Sequence, residues 1–200
     1  AIGQFYHVAI DSKQPYWVYG GLQDPGTWGG PAFNARSYGP VNEEWIAVAG
    51  GDGFVVRVDP FDSDLVYYES QDGNMGRRNL RTGESSPIRA RPPQRTQTTQ
   101  ARSASECTPA TGTPPAGDQP RPPAYRFNWN TPFILSNHNP GIFYAAGNYV
   151  FRSVKRGDDL KVISPEIART GRGTGTAIAE SPRNPDVLYV GTDDGNLFVT

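Results

Sequence analysis

Cysteine is almost absent: Cys107 is the single one in 200 residues, so no disulfide can close within the chain. Histidine is nearly as scarce. His7 and His138 stand far apart with no Cys or His at ligand spacing, which argues against a zinc site, and no cofactor is implied. No apolar run approaches the roughly 18 residues of a membrane span. No segment keeps a helical period over three turns, and the one helical candidate, near Ile167–Arg169, is too short to matter. Charge of either sign is in no excess: 19 Lys plus Arg face 20 Asp plus Glu, so nothing draws the whole molecule to nucleic acid or an anionic membrane. No serine sits in a nucleophile elbow. The start, AIGQFYHVAID, lacks the basic–apolar–small order of a secretion signal and is expected to be a mature start or an excised fragment.

What is present is a pattern that occurs four times. An apolar segment leads into Asn, Asp, Ser or Gln and usually Pro, then a Tyr- or Trp-rich strand, then a Gly/Asp/Asn turn. It reads VAIDSKQPYWVYGGLQDPG from Val8, VRVDPFDSDLVYYESQDGN from Val56, ILSNHNPGIFYAAGNYVF from Ile134 and AIAESPRNPDVLYVGTDDGNLF from Ala177. With Val18, Tyr67, Tyr144 and Tyr189 as equivalent positions, the spacings are about 49, 77 and 45 residues; the first and last are the length of a β-propeller blade, and the second exceeds it by about 32. Short aromatic and β-branched runs bounded by Gly, Pro, Asn and Asp read as strands throughout.

The expected fold is therefore all-β: a propeller segment of about four four-stranded blades. Residues 1–53 form blade 1, 54–89 blade 2, 124–173 blade 3 and 174–200 an incomplete blade 4. In the second repeat, Phe54–Val58 is the inner strand, then Leu65–Glu69, Met75–Arg78 and Ser86–Ile88. Asp72-Gly73 is a hairpin turn needing positive φ at both residues, Asp194-Gly195 repeats it, and Gly147-Asn148 stands in for it in the third repeat. Residues 90–123 interrupt the second period. They are rich in Pro, Thr, Ser, Gln and Arg and nearly free of apolar side chains, so a disordered basic insert containing Cys107 is expected. A flap that engages an acidic partner is the alternative. Between Arg77 and Arg126 roughly nine Arg face three acids, whereas the remainder is acidic.

Strand direction assigns the turns to faces. The turn between the second and third strands shares a rim with the link to the next blade. That rim collects Asp24, Asp72, Asn148, Asp193 and Asp194 with the links around Asp52, around Asn128, Trp129 and Asn130, and around Arg172. The opposite face takes Asp59–Asp64, His138–Pro140 and Arg183–Asp186, and a calcium site from Asp59, Asp62 and Asp64 has no EF-hand spacing to support it. On the first rim, Asp72 and Asp194 recur at one structural position, which suits turn formation. Asp52 lies between glycines that permit close approach of backbone or ligand. Trp129, between two Asn residues, is the aromatic most suited to stacking on a sugar. Most other aromatics suit packing between blades.

The segment FRSVKRGDDLKVIS, Phe151–Ser164, resembles a degenerate Asp-box. Ser153 and Gly157 match, while Lys155, Asp159 and Leu160 replace the usual Asp, Thr and Trp. With FYHVAID, GGLQDPGTWGGP, GGDGFVVRVDP and YRFNWNTPF, the chain resembles the bacterial sortilin-like and BNR-repeat propeller proteins, often labelled glycosyl hydrolases. The resemblance implies a larger ring of seven to ten blades, of which this chain is a part, in an extracellular or periplasmic protein. It implies two classes of function. One is a scaffold that holds a peptide, protein or glycan, with Asp24, Asp72, Asn128, Trp129, Asn130, Arg172 and Asp194 as ligand-binding residues. The other is a glycoside hydrolase of the xyloglucan-cleaving kind, with Asp193 and Asp52 as the paired carboxylates that such chemistry needs. A sialidase is disfavoured, since only Arg172 lies on the expected face. The expected partners are the ligand and the rest of the parent propeller, or a second copy.

An open arc exposes sheet edges. The isolated chain is therefore expected to self-associate or to be poorly stable. Sedimentation velocity together with calorimetry checks this, and a monodisperse, cooperatively melting monomer would count against it.

Overall fold

A computed structural model describes residues 3–36, 38–91 and 125–200, so the expected insert with Cys107 lies almost wholly outside the described residues. The rest folds as four small antiparallel sheets in blade order. Blade 1 holds β1 (Phe5–Ile10), β2 (Trp17–Leu22), β3 (Gly26–Pro31) and β4 (Ile46–Ala49). Blade 2 holds β5 (Val56–Val58), β6 (Leu65–Glu69), β7 (Met75–Asn79) and β8 (Ser85–Ile88). Blade 3 holds β9 (Phe133–Leu135), β10 (Phe143–Ala146), β11 (Val150–Ser153) and β12 (Lys161–Val162). Blade 4 holds β13 (Gly175–Glu180), β14 (Leu188–Thr192) and β15 (Leu197–Val199). Each strand pairs with its sequence neighbour, with β1, β5, β9 and β13 at one edge of their sheets.

No helix forms at Ile167–Arg169, in keeping with its shortness; the helical elements among the described residues are single 3-10 turns at Asn42–Glu44 and Gln71–Gly73. Two expectations about turns are corrected. The turn Asp72-Gly73 has positive φ at both residues, 58° and 73°, but Asp194-Gly195 does not repeat it, since only Gly195 is left-handed at 89°. There the Asp194 carboxylate instead takes the Thr192 hydroxyl at 2.6 Å, and Asn196 closes the loop onto Thr192. In blade 3 neither Gly147 nor Asn148 is left-handed. Asn148 is held by a reciprocal pair with Arg126, its Oδ1 accepting the Arg126 N–H at 2.8 Å and its own N–H reaching the Arg126 carbonyl at 2.9 Å. Strand β3, GTWGGP, is the element whose glycines and proline disguise it as loop.

The polar residue that closes each repeat's first strand has a common task. Asp11 Oδ1 accepts the N–H groups of Lys13 and Trp17, and Asp59 Oδ1 those of Phe61 and Asp62. Ser136 Oγ accepts from His138 and Asn139, and Ser181 Oγ from Arg183 and Asn184. One side-chain oxygen thus satisfies the donors that the turn into the second strand would leave orphaned.

Packing follows from strand alternation. In β6, Val66 faces blade 1 with Val56, Tyr19 and Val48, while Leu65 and Tyr67 face blade 3 with Phe133, Phe143 and Phe151. Both faces of a middle blade are covered, so β6 is apolar at successive positions rather than alternating. The blade 2–3 interface is the most aromatic: Phe143 stacks on Tyr67 at 5.9 Å between centroids and on Phe133 at 5.1 Å. Ala146, Val150, Ile167 and Val190 join blades 3 and 4. The end blades leave Val8 and Ile10 on one side, and Tyr189, Leu197 and Val199 on the other, in contact with solvent.

The segment that resembles an Asp-box is a hairpin organised on Ser153, whose Oγ accepts from the N–H groups of Lys155 and Gly157 and donates to the Asp158 carbonyl. Arg156 and Asp159 are left-handed within it, both with φ of 56°.

At the first interface, backbone meets backbone. The Gly53 N–H donates to the Leu22 carbonyl at 2.8 Å, and a methyl group on Gly21 would overlap the Gly53 carbonyl and the Phe54 nitrogen. Neither neighbour is a flexible side chain that can move aside. Gly21→Ala is therefore expected to cost about 1–3 kcal/mol through overpacking. The urea midpoint of the variant against the parent chain checks this.

Candidate functional site

The rim carries a continuous series of hydrogen bonds that passes from blade to blade. The Asp24 N–H, on the β2–β3 turn, donates to Asp52 Oδ1 at 2.9 Å on the link into blade 2. The Asp52 N–H donates to Gln71 Oε1 at 3.0 Å, and the Asp72 N–H to the Trp129 carbonyl at 3.2 Å. Asn128 then spans to blade 4: its Nδ2 donates to Thr174 Oγ1 at 3.1 Å and to Asp193 Oδ2 at 3.4 Å. Asp193 also accepts the Thr174 N–H and hydroxyl, at 2.8 and 3.0 Å. Asp194 Oδ2 accepts the N–H groups of Arg169 and Thr170 at 2.7 and 2.8 Å.

The strand-direction rule thus places Asp24, Asp52, Asp72, Asn128, Trp129, Asn130, Asn148, Asp193 and Asp194 on one rim, as expected. It also shows what most of them do there. Asp193 and Asp194 satisfy backbone donors of the preceding link, and Asn128 Oδ1 closes its own turn by accepting the Asn130 N–H at 3.1 Å. The bonds from Thr192, Thr170 and Arg169 bring the Asp194 carboxyl down to about 2. Asp52 keeps Oδ2 out of any hydrogen bond among the described residues, and Asp24 and Asp72 keep both carboxylate oxygens so. The link that carries Arg172 is tied into the rim at Arg169 and Thr170, and the Arg172 side chain makes no hydrogen bond among the described residues.

Sequence reasoning paired no other aromatic with Trp129. It lies edge-on to Phe54 at 4.6 Å and to Tyr6 at 6.3 Å, and Tyr6 in turn packs on Phe54 at 4.8 Å. Phe54 is fully buried, whereas Trp129 and Tyr6 remain 42% and 41% exposed. The buried ring is a base on which two aromatic side chains are held with surface open to solvent, Tyr6 further tied by its hydroxyl to Gln23 Oε1 at 2.6 Å. Asn130 and His7 meet at 3.5 Å beside them. Burial and the Arg57 charge lower the His7 pKa, so the ring is neutral at neutral pH. Among the described residues no group of His, Cys, Asp and Glu could hold a metal ion.

Beneath the rim lies a carboxyl that the sequence does not single out. Glu69 is fully buried, and its Oε2 has no partner among the described residues. Burial pushes its pKa up to about 9, with bonds from Thr131 and Gly73 opposing and the Asp72 charge adding. It holds a proton at neutral pH, yet it cannot deliver that proton to a ligand on the surface.

A second concavity lies between the inner strands toward the opposite face. A cavity of about 560 Å³ is lined by Arg57, Phe61, Ile134, His138, Ile178 and Glu180, among others. The sequence places the richer chemistry on the rim, whereas this cavity lies among connectors of the other face.

No family model matches the sequence, and no curated protein matches it. Among solved structures, the chain resembles the GH74 xyloglucanase from Xanthomonas campestris, with a TM-score of 0.52 at 10% identity. The match covers 92% of this chain and 25% of that one, so the chain spans about a quarter of the length of the protein it matches. At this identity the likeness shows the fold: an all-β chain of four small antiparallel sheets arranged as propeller blades.

Glu69 gives a prediction with a definite sign. Its folded pKa exceeds the unfolded value, so the folded state keeps a proton that the unfolded state releases, and stability falls as pH rises from about 4.5 to about 9. Glu69→Gln is expected to flatten that slope and to raise the melting temperature at pH 8 above that of the parent chain. Melting curves across this range check it.

Proposed function

We propose that the chain is an arc of a glycoside-hydrolase-type β-propeller that holds a polysaccharide, of the xyloglucan kind, across the rim of Tyr6, Trp129, Asn130 and Asp52. The observation that carries this reading is the exposed pair of aromatic side chains on the buried Phe54 ring. Aromatic faces offer apolar area of fixed orientation with little conformational freedom to lose. Open acceptors follow beside them, at Asp52 Oδ2 and at Asp24 and Asp72, for sugar hydroxyl groups. The fold likeness to a xyloglucanase supports a saccharide over a peptide as ligand. An extracellular or periplasmic setting belongs to the same proposal.

Hydrolysis is the second reading, favoured by that likeness. Asp193 and Asp52 would serve as the paired carboxylates, with the remainder of a larger ring completing the cleft. The bonds of Asp193 to Thr174 and Asn128 hold its carboxylate toward the preceding link, which suits a fixed, oriented group better than a mobile one.

Calorimetric titration with xyloglucan oligosaccharides tests the first reading. Trp129→Ala is expected to weaken binding about tenfold without unfolding the chain, as loss of an anchoring aromatic does. Equal affinity in the variant overturns it. For hydrolysis, reducing-end release by the intact parent protein should vanish in Asp193→Asn or Asp52→Asn with oligosaccharide binding retained. Release unchanged in both variants removes them as the acid and base.

A further inference from the structure

The cavity between the inner strands is lined by an arginine, Arg57, that makes no ion pair among the described residues. Arg57 is two residues before Asp59, the polar residue that ends the first strand of its repeat. The corresponding positions, two before Asp11, Ser136 and Ser181, are Ala9, Ile134 and Ala179. Three blades thus place an apolar side chain where the second places a guanidinium.

Arg57 is half-buried, and its one hydrogen bond among the described residues runs from Nη1 to the neighbouring Val56 carbonyl at 2.8 Å. It takes part in no ion pair there. The two nearest acids by position are committed elsewhere. Glu180 lines the same cavity, but its oxygens accept the Ser136 hydroxyl at 2.8 and 2.9 Å and the Asn137 N–H at 2.5 Å. Asp59 Oδ1 serves the turn, and its Oδ2 lies 3.7 Å from Arg156. Burial lowers the Arg57 pKa, and no carboxylate opposes it. A guanidinium has five N–H donors in a planar fork. Keeping most of them unpaired in a half-buried site is unfavourable, and a bound oxyanion relieves it.

We propose that the Arg57 cavity binds an oxyanion, a carboxylate or a sulfate ester, carried by a saccharide. The fork takes the two anion oxygens. Ile134 and Ile178 offer apolar walls for the C–H face of a sugar ring, and Phe61, 85% exposed next to Pro60, stands at the mouth. On the exposed side chains of Asn137 and His138, Asn137 Oδ1 and His138 Nδ1 can meet hydroxyl groups, while Asn137 Nδ2 and His138 Nε2 lie against the Glu180 and Ser181 carbonyls at 3.4 and 2.8 Å. The saccharide as carrier rests on the reading above, whereas the oxyanion does not.

The test is calorimetric titration of the full chain with four probes: a galacturonate trisaccharide, a sulfated galactose trisaccharide, the carboxyl-reduced neutral trisaccharide and acetyl-glycyl-glutamate. One or both acidic sugars should bind at least about tenfold more tightly than the neutral one, and which of them does so separates carboxylate from sulfate. Arg57→Gln should remove that preference. Equal binding of acidic and neutral sugars, or a preference that survives Arg57→Gln, overturns the proposal. Acetyl-glycyl-glutamate binding as tightly as the acidic sugar overturns the saccharide assignment. If Arg57→Gln does not fold, Arg57→Lys, which keeps the charge without the fork, and Phe61→Ala carry the test, and acidic-sugar affinity unchanged in both overturns it. Neutral xyloglucan oligosaccharide binding that depends on Trp129, with no preference for acid, defeats this inference alone. The converse result defeats the rim reading alone.

Discussion

Side-chain and backbone bonds that cross from one blade to the next are the constraint on which the rest of this molecule depends. Sheets of three or four short strands have two apolar faces and cannot cover either by themselves. Stacking blades covers them, but each link between blades must then pass under the neighbouring turn, where its N–H groups need acceptors. Gln71, Asp193 and Asp194 supply these across the gap, and in the other direction Asp52 and the Trp129 carbonyl on the links accept the N–H groups of Asp24 and Asp72 on the turns. The apolar side chains between blades supply the favourable burial. The polar rim fixes how one blade sits on the next.

That double duty limits what the rim can do chemically. An acid–base pair needs carboxylates with freedom to exchange a proton with a ligand, whereas Asp193 and Asp194 are both engaged by backbone donors. The acid that does keep its proton, Glu69, is sealed below the surface by the same packing that raises its pKa. What the rim retains in the open is aromatic area and a few unengaged oxygens, which suits holding a ligand. On the inner strands, Arg57 takes part in no ion pair among the described residues.

Much of the architecture was legible because the repeat writes each strand twice, once in composition and once in position. Leu65–Glu69 forms as expected from its own residues, and Met75–Asn79 and Ser85–Ile88 differ from expectation by one residue each. Strand β3 escaped because three glycines in GTWGGP match turn chemistry. Their absent side chains in fact make room, Gly29 beneath the Tyr19 ring and Gly30 beside Trp45. The rim was legible from strand direction alone. Its aromatic base was not, since Tyr6, Phe54 and Trp129 come from three blades and no local pattern joins them. Glu69 reads in sequence as an ordinary strand-end acid, and only burial gives it away. Arg57 did have a signal, as the one charged residue at a repeat position otherwise filled by Ala and Ile.

The contacts between blades 1 and 2 and between blades 2 and 3 differ in thickness at the rim. Gly21, in strand β2, lets the backbone of blade 1 touch the link at Gly53 directly, whereas at the next junction Gly73, in the turn after β6, meets the ring of Phe127. One junction is a bare seam and the next a wedge one aromatic ring deep. In a circular array, the angle between neighbours is set by just such differences between the inner and outer edges of the junction. Single residues at these links therefore act on curvature, and through curvature on how many blades a closed circle of this kind can hold.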